Sequence, residues 1–211
     1  MKKLLLYLLV AGLAATAQAR PGASPDAPTG ALSAEERAAA VALLTQTRAD
    51  ILQSVRGLSA AQLAYRTAPA RWSIAECLEH IALAETGIFQ MQQTAMQAPA
   101  DPARRADIKV TDTQVVQRLT NRRGTAQSPE ILKPTGRFPT SEAALEFFGA
   151  ERDKTLAYVR TVSDDLRVHY WQHPATGPID AYQTLLLLAA HSERHRLQIE
   201  EVKASPGFPK A

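Results

Sequence analysis

The sequence predicts an all-α protein: a four-helix bundle with a long connection between its second and third long helices. Three observations carry that expectation. Alanine and leucine are abundant while aromatic residues make up only 6% of the chain, a mixture that leans helical. Four long stretches repeat apolar residues at helical spacing, two of them behind a Ser-x-x-Glu pattern. No stretch reads convincingly as a strand, and no internal repeat is present. At 211 residues with 45% apolar side chains, the chain has material for one substantial core.

The first nineteen residues read as a segment apart. Lys2 and Lys3 precede an apolar run from Leu4 to Ala15, and Ala17-Gln18-Ala19 offers a small-x-small cleavage pattern. The run is short for a membrane span, so a cleaved secretory signal is expected, with the mature protein exported to a periplasm or medium. No stable membrane anchor would remain after cleavage, and no cysteine follows the run to take a lipid. Losing the two lysines of residues 1–19 takes the net charge from +3 to +1, so the precursor's isoelectric point of about 9.1 makes no case for nucleic-acid binding. The lone Cys77 can form no internal disulfide and reads as a small buried hydrophobe.

Residues 20–32, RPGASPDAPTGAL, form an expected flexible tether. The folded domain is expected over 33–204, with 205–211 as a tail that stops the last helix. Ser33-Ala34-Glu35-Glu36 fits a capping box, and a helix should run from there to about Leu58 with Val41, Leu44, Ile51 and Val55 inward. A second box at Ser73-Ile74-Ala75-Glu76 opens a helix to about Met96, with Trp72 fixing the angle at which the chain arrives. Five prolines between 97 and 140 argue against long elements there, apart from a short helix near Thr113–Leu119. The basic residues of 104–137 are partly offset by Asp107, Asp112 and Glu130, and read as a solvated connection. A third long helix is expected from Ser141 to Val162, with Leu145, Phe148, Leu156 and Val159 inward, and a fourth from Ile179 or Asp180 to Lys203. The LLLLAA centre of the fourth makes it the most buried.

His191 and His195 stand four residues apart, so both project from nearly one face of the last helix. Thr184, Leu187, Leu188, Gln198 and Val202 share that stripe, which places two imidazoles toward the core. Such a pair offers two nitrogens to one metal, yet chance pairs on solvated helices are common. Glu193 does not complete a zinc-protease motif, because that motif needs Glu directly after the first His. His80 on the second helix, beside Leu78, Ile81 and Leu83, supplies a third candidate from a facing helix; taken alone it reads as a hydrogen-bonded core histidine. Glu76, one turn before His80, and Gln198, on the histidine stripe, are candidates to orient ligands by hydrogen bonds, with capping the competing role for Glu76. His169 and His173 fall in an expected loop and read as surface or turn histidines.

Trp72-Ser73-Ile74-Ala75-Glu76 followed by Leu78-Glu79-His80 resembles the second-helix signature of the DinB/YfiT-like bundle proteins. His191-Ser192-Glu193-Arg194-His195 followed by Arg196-Leu197-Gln198-Ile199 is similar to their final HxxxHxxQI signature, and the stretches at 129–134 and 173–178 are similar too. The resemblance covers about residues 33–204. It implies a four-helix fold, a triad of His80, His191 and His195, and a divalent metal ion, zinc, nickel, iron or manganese. It also implies a small-molecule substrate, with thiol-dependent group transfer and hydrolysis both known among relatives. The expected leader is a departure, because small thiol cosubstrates are mainly cytoplasmic. No catalytic proton-transfer group is assigned; Glu76 and Glu85 are the candidates on the second helix. A non-catalytic metal-binding bundle, a plain structural bundle and a homodimer remain open.

Overall fold

The computed structural model describes residues 30–122, 127–174 and 176–210. In chain order these form α1 (Ala34–Val55), α2 (Ala60–Ala64), α3 (Ile74–Gln97), α4 (Asp112–Thr120), α5 (Ser141–Thr161), β1 (Tyr170–His173), β2 (Gly177–Asp180) and α6 (Ala181–Lys203). Short 3-10 turns occupy Pro102–Asp107, Glu130–Leu132 and Leu166–Val168. The expected leader and most of the expected tether lie outside the described residues. No described helix is long and apolar enough to cross a membrane.

The helices start where side chains can satisfy otherwise free N–H groups. Ser33 and Glu36 form the expected reciprocal box at 3.1 and 2.9 Å, and Ser73 and Glu76 form theirs at 3.2 and 2.8 Å. Ser59 with Gln62, Thr111 with Gln114, and Asp180 with Gln183 build three further boxes. The glutamines play the part that glutamate plays in the first two.

Helix α6 packs against α1, α3 and α4, while α5 packs against α1 and α3. Among the described residues α1 and α3 have no comparable contact, nor have α5 and α6. Chain order is therefore not the order around the bundle: α1 and α3 sit across one diagonal and α5 and α6 across the other, while α3 and α5, joined by residues 98–140, are neighbours. Helix α6 is buried on most sides from Ala181 to Ala190, as its leucine-rich centre predicts.

The core has two apolar clusters. One holds Leu44, Ala84, Val159, Leu185 and Leu188; the other holds Ile51, Ile74, Ile81, Phe148 and Ile199. Cys77 belongs to the second cluster, and burial pushes its thiol up to about 12, so it is inert filling. Along each long helix a polar residue falls between the two clusters. Arg152 of α5, 0% exposed, is the centre of that layer. Its Nε and Nη2 donate to the Glu85 carboxylate at 2.6 and 2.8 Å. Its Nη1 donates to the Leu44 carbonyl and the Thr47 hydroxyl at 2.7 and 2.8 Å, and Nη2 also reaches Ser192 Oγ at 2.9 Å. All five N–H donors of the guanidinium are thus used, on α1, α3 and α6.

Several expectations need correction. Residues 170–180 form an antiparallel hairpin, with Tyr170 opposite Asp180 and His173 opposite Gly177. Its four-residue strands are too short to show a period, and Pro178 argues against a strand; Gly177, at φ +79°, supplies the backbone turn. His173 is therefore on a strand, and His169 just precedes it. The tether is anchored at its far end: Leu32 is buried in the core and the Gly30 N–H donates to Asp165 at 3.1 Å. The tail is packed too, with Phe208 edge-on to Tyr65 and Gln62 Nε2 donating to the Pro209 carbonyl at 3.0 Å.

Removing one partner of a buried, hydrogen-bonded ion pair leaves a charge without compensation. Arg152→Met is expected to destabilise the protein by about 3–5 kcal/mol in urea unfolding. Arg152→Met/Glu85→Leu should recover much of that loss, because the stranded carboxylate is gone. A double variant no more stable than the single one would contradict this account.

Candidate metal centre

The structure brings the three sequence-predicted histidines together. His80 comes from α3, and His191 and His195 come from α6, at the level of the buried polar layer. One ring nitrogen from each lies within 4.8 Å of the others. Ring centroids are 5.0 Å apart for His80–His191, 4.4 Å for His80–His195 and 4.6 Å for His191–His195. His80 and His195 are buried, and His191 is half-buried. The geometry follows from the fold: α3 and α6 are neighbours, and the four-residue spacing stacks two imidazoles one turn apart on the face that meets α3.

Two of the rings have their orientation set by the atom that points away from the cluster. His80 Nδ1 lies 2.7 Å from the Leu132 carbonyl. A carbonyl only accepts, so Nδ1 carries the hydrogen and Nε2 presents a lone pair inward. His195 Nδ1 lies 3.0 Å from Gln198 Oε1, which assigns the same tautomer. His80 Nε2 then faces His191 Nε2 at 3.2 Å. Converging lone pairs repel unless a proton or a cation lies among them. Neutral imidazole nitrogens suit zinc, iron or nickel, so the donor set fits a divalent transition metal.

The electrostatics keep the rings neutral. Burial lowers the His80 pKa, against the opposing pull of the Leu132 carbonyl. Burial also drives His191 well below its usual range, helped by His80 and Arg194. His195 is likewise held well down by burial first, then by His191 and His80. A metal ligand must be deprotonated, and these three are at neutral pH.

The remaining sequence candidates divide. Gln198 touches the site through His195. Glu76 does not: its carboxylate caps Ser73 and pairs with Arg66 at 2.5 Å, so it does not orient His80. Glu85 is committed to Arg152 and is unavailable for proton transfer. His169 has a buried Nδ1 without a hydrogen-bond partner among the described residues. His173 Nδ1 accepts from the Thr176 N–H at 3.2 Å, and His173 is near enough to His191 to bear on its charge.

Sequence reasoning missed three contributors. Trp72 lies against the site as well as at a helix start, its ring 4.9 Å from His80 and 6.1 Å from His195. The Leu132 carbonyl is a backbone group, which no residue pattern marks. Glu79, 7% exposed, accepts the N–H groups of Thr135, Gly136 and Arg137 at 2.9, 3.0 and 3.0 Å. Burial raises its pKa, but these donors outweigh that and hold the carboxyl below its usual range. A carboxylate beside His80 on a largely apolar helix was the available signal. A small pocket bordered by Thr67, Arg71, Trp72, Gln198, Glu201 and Val202 adjoins the cluster. Because Gln198 both lines it and bonds His195 Nδ1, this pocket lies behind that ring, away from the converging nitrogens.

The chain is similar in structure to YfiT from Bacillus subtilis, described as a probable metal-dependent hydrolase with an unusual four-helix bundle topology. The two share 18% sequence identity and superpose with a TM-score of 0.54, over 86% of this chain and 94% of that one. At that identity the likeness establishes a common fold. No curated protein matches the chain. The family model of the DinB superfamily matches residues 43–199, a span that holds His80, His191 and His195. This chain belongs to the DinB superfamily.

Proposed function

We propose that the protein holds one divalent metal ion on His80, His191 and His195 and uses it to hydrolyse a small-molecule substrate. The observation that carries this reading is the pair of assigned tautomers: Leu132 and Gln198 take the Nδ1 hydrogens, so His80 and His195 direct lone pairs to a common point beside His191. A bound divalent ion with three protein ligands supplies Lewis acidity at its open positions, toward water or toward an electrophilic group. Thiol-dependent group transfer would use the same positions. The description of YfiT as a metal-dependent hydrolase supports the hydrolytic reading. The basic, apolar and small-residue pattern of residues 1–19 supports export, and zinc, nickel, iron and manganese remain the candidate ions.

The protein's own groups divide the work. Leu132 and Gln198 keep the ligand rings oriented, while Trp72 and the bundle core cover His80 and His195 from water. The three acids of α3 nearest the cluster are all engaged: Glu76 with Ser73 and Arg66, Glu79 with residues 135–137, Glu85 with Arg152. That observation favours one second reading, a bundle that binds metal without catalysis. For the hydrolytic reading we assign His173 the part of a neutral hydrogen-bond donor toward the substrate, through Nε2–H. The Thr176 N–H fixes its Nδ1 as an acceptor, so the neutral ring carries its proton on Nε2, and burial keeps the ring below its usual pKa.

Purified protein should carry close to one equivalent of metal by elemental analysis, and His191→Ala/His195→Ala should carry almost none. Equal metal content in the two would sink the site. Removing a hydrogen-bond donor aimed at charge that develops in the transition state lowers rates by about 10²–10³-fold. His173→Phe should therefore cut metal-dependent hydrolysis of a panel of activated esters and amides by about 10²-fold with metal content unchanged. If no panel member is turned over by any metal-loaded form, the non-catalytic reading stands instead.

The metal-free protein should also be acid-sensitive. Folding lowers the pKa of all three histidines, so between the folded and unfolded values the unfolded chain binds more protons. Their contribution to stability is fully present above about pH 6.5. It is lost as pH falls from there toward the folded values. Urea midpoints measured from pH 8 to pH 5 should drop more steeply for the metal-free wild type than for His191→Ala/His195→Ala.

A further inference from the structure

The 130–137 segment meets α3 at two adjacent residues, and it meets them with opposite chemistry. At residue 80 the helix donates: His80 Nδ1 to the Leu132 carbonyl, 2.7 Å. At residue 79 the helix accepts: the Glu79 carboxylate takes three consecutive backbone N–H groups, of Thr135, Gly136 and Arg137. Three consecutive N–H groups converge on one anion only when the backbone curls around it, and Gly136 at φ +78° provides that curl. A Cβ at Gly136 would meet no atom within 4 Å, so the glycine serves the backbone conformation and not a close contact. Arg137 closes the loop on itself, its guanidinium donating to the Ile131 carbonyl at 2.9 Å and the Thr135 hydroxyl at 3.3 Å. The turn that carries Leu132 is thus tied to the turn that Glu79 grips.

We propose that Glu79 is a positioning residue for the metal centre: by anchoring residues 135–137 it holds the Leu132 carbonyl on His80 Nδ1, and so keeps His80 in the tautomer and orientation that bind metal. This rests on the metal-binding reading above. The Glu79 carboxylate bonds the N–H groups of 135–137 and not the ligand nitrogens; it acts through the loop. The coupling runs in both directions, since any group that favours metal binding through an ordered loop is itself ordered by the metal. A metal on His80 Nε2 makes Nδ1–H a better donor, which strengthens the bond to Leu132 and tightens the segment on α3.

The test compares wild type, Glu79→Gln, Glu79→Asp and Thr135→Pro. Thr135→Pro removes the N–H that donates to Glu79, together with the hydroxyl that accepts from Arg137, and leaves α3 intact. Three readouts are taken on the full folded chain: zinc affinity by competition with a chromogenic chelator, the His80 tautomer from ring ¹⁵N shifts, and amide exchange at 135–137 with and without zinc. Loss of an outer hydrogen-bond partner lowers metal affinity by about 10–100-fold. Glu79→Gln and Thr135→Pro should each show a loss of that order, a His80 ring no longer confined to the Nδ1–H form, and faster exchange at 135–137. Glu79→Asp, which keeps the anion on a shorter arm, should fall between. Zinc should slow exchange at 135–137 in wild type. A merely structural role would lower the unfolding midpoint and leave the tautomer and the affinity of the folded protein unchanged, which would overturn the proposal. Should Glu79→Gln not fold, Thr135→Pro decides. Absence of zinc binding by wild type would overturn the metal reading alone, and the tautomer and exchange of the variants would still decide the role of Glu79.

Discussion

A guanidinium with no access to water needs five acceptors, and Arg152 finds them on three other helices. The bidentate bond to Glu85 links α5 to α3, the Leu44 carbonyl and Thr47 hydroxyl link it to α1, and Ser192 links it across the diagonal to α6. Apolar contacts alone would tolerate some sliding of one helix along another. A planar donor set with fixed directions does not, because a shift strands a buried donor or acceptor. Ser192 lies between His191 and His195 in sequence, and Glu85 lies five residues beyond His80. The bonds that register α6 and α3 against α5 therefore also set the height at which the three imidazoles meet.

The centre depends on a second, looser layer of structure. The long connection leaves α3, passes through α4 and returns by way of 130–137 before α5 begins. Arg122 and Arg194 tie α4 to the histidine stretch of α6: Arg122 grips Glu201 through two bonds and also reaches the Arg194 carbonyl, while Arg194 donates to the Leu119 and Asn121 carbonyls. The cationic neighbours add to burial in disfavouring protonated imidazole. The site is thus preset with neutral ligands, and the positive neighbours that resist a proton would also oppose a cation, which only the imidazole lone pairs could offset.

Much of this was legible in the sequence, and the reasons are local ones. The long helices read correctly because capping boxes at Ser33 and Ser73 and a sustained apolar period are properties of neighbouring residues. The His191/His195 pair was visible because four-residue spacing is itself geometry. Whether His80 would join them depended on which helices are neighbours, which periodicity does not state; family resemblance supplied it. The hairpin at 170–180 was not legible, because strands of four residues containing a proline leave no pattern to count. Glu76 drew attention as a partner for His80 by helical spacing, whereas its own cap and Arg66 claim it. Glu79 went unnoticed because its partners are backbone N–H groups 56 to 58 residues away.

The separation in sequence between α3 and α6 bears on when the centre comes into being. His80 and His191 are separated by 111 residues, and α6, the last helix of the chain, brings two of the three imidazoles. Closing so long a loop comes late in folding. A growing or unfolded chain therefore has no preformed cluster to offer an ion. An ion held there would be selected where and when α6 docks between α1 and α3, from whatever that surrounding supplies. The identity of the bound metal would then record the place of folding more than the preference of three nitrogens.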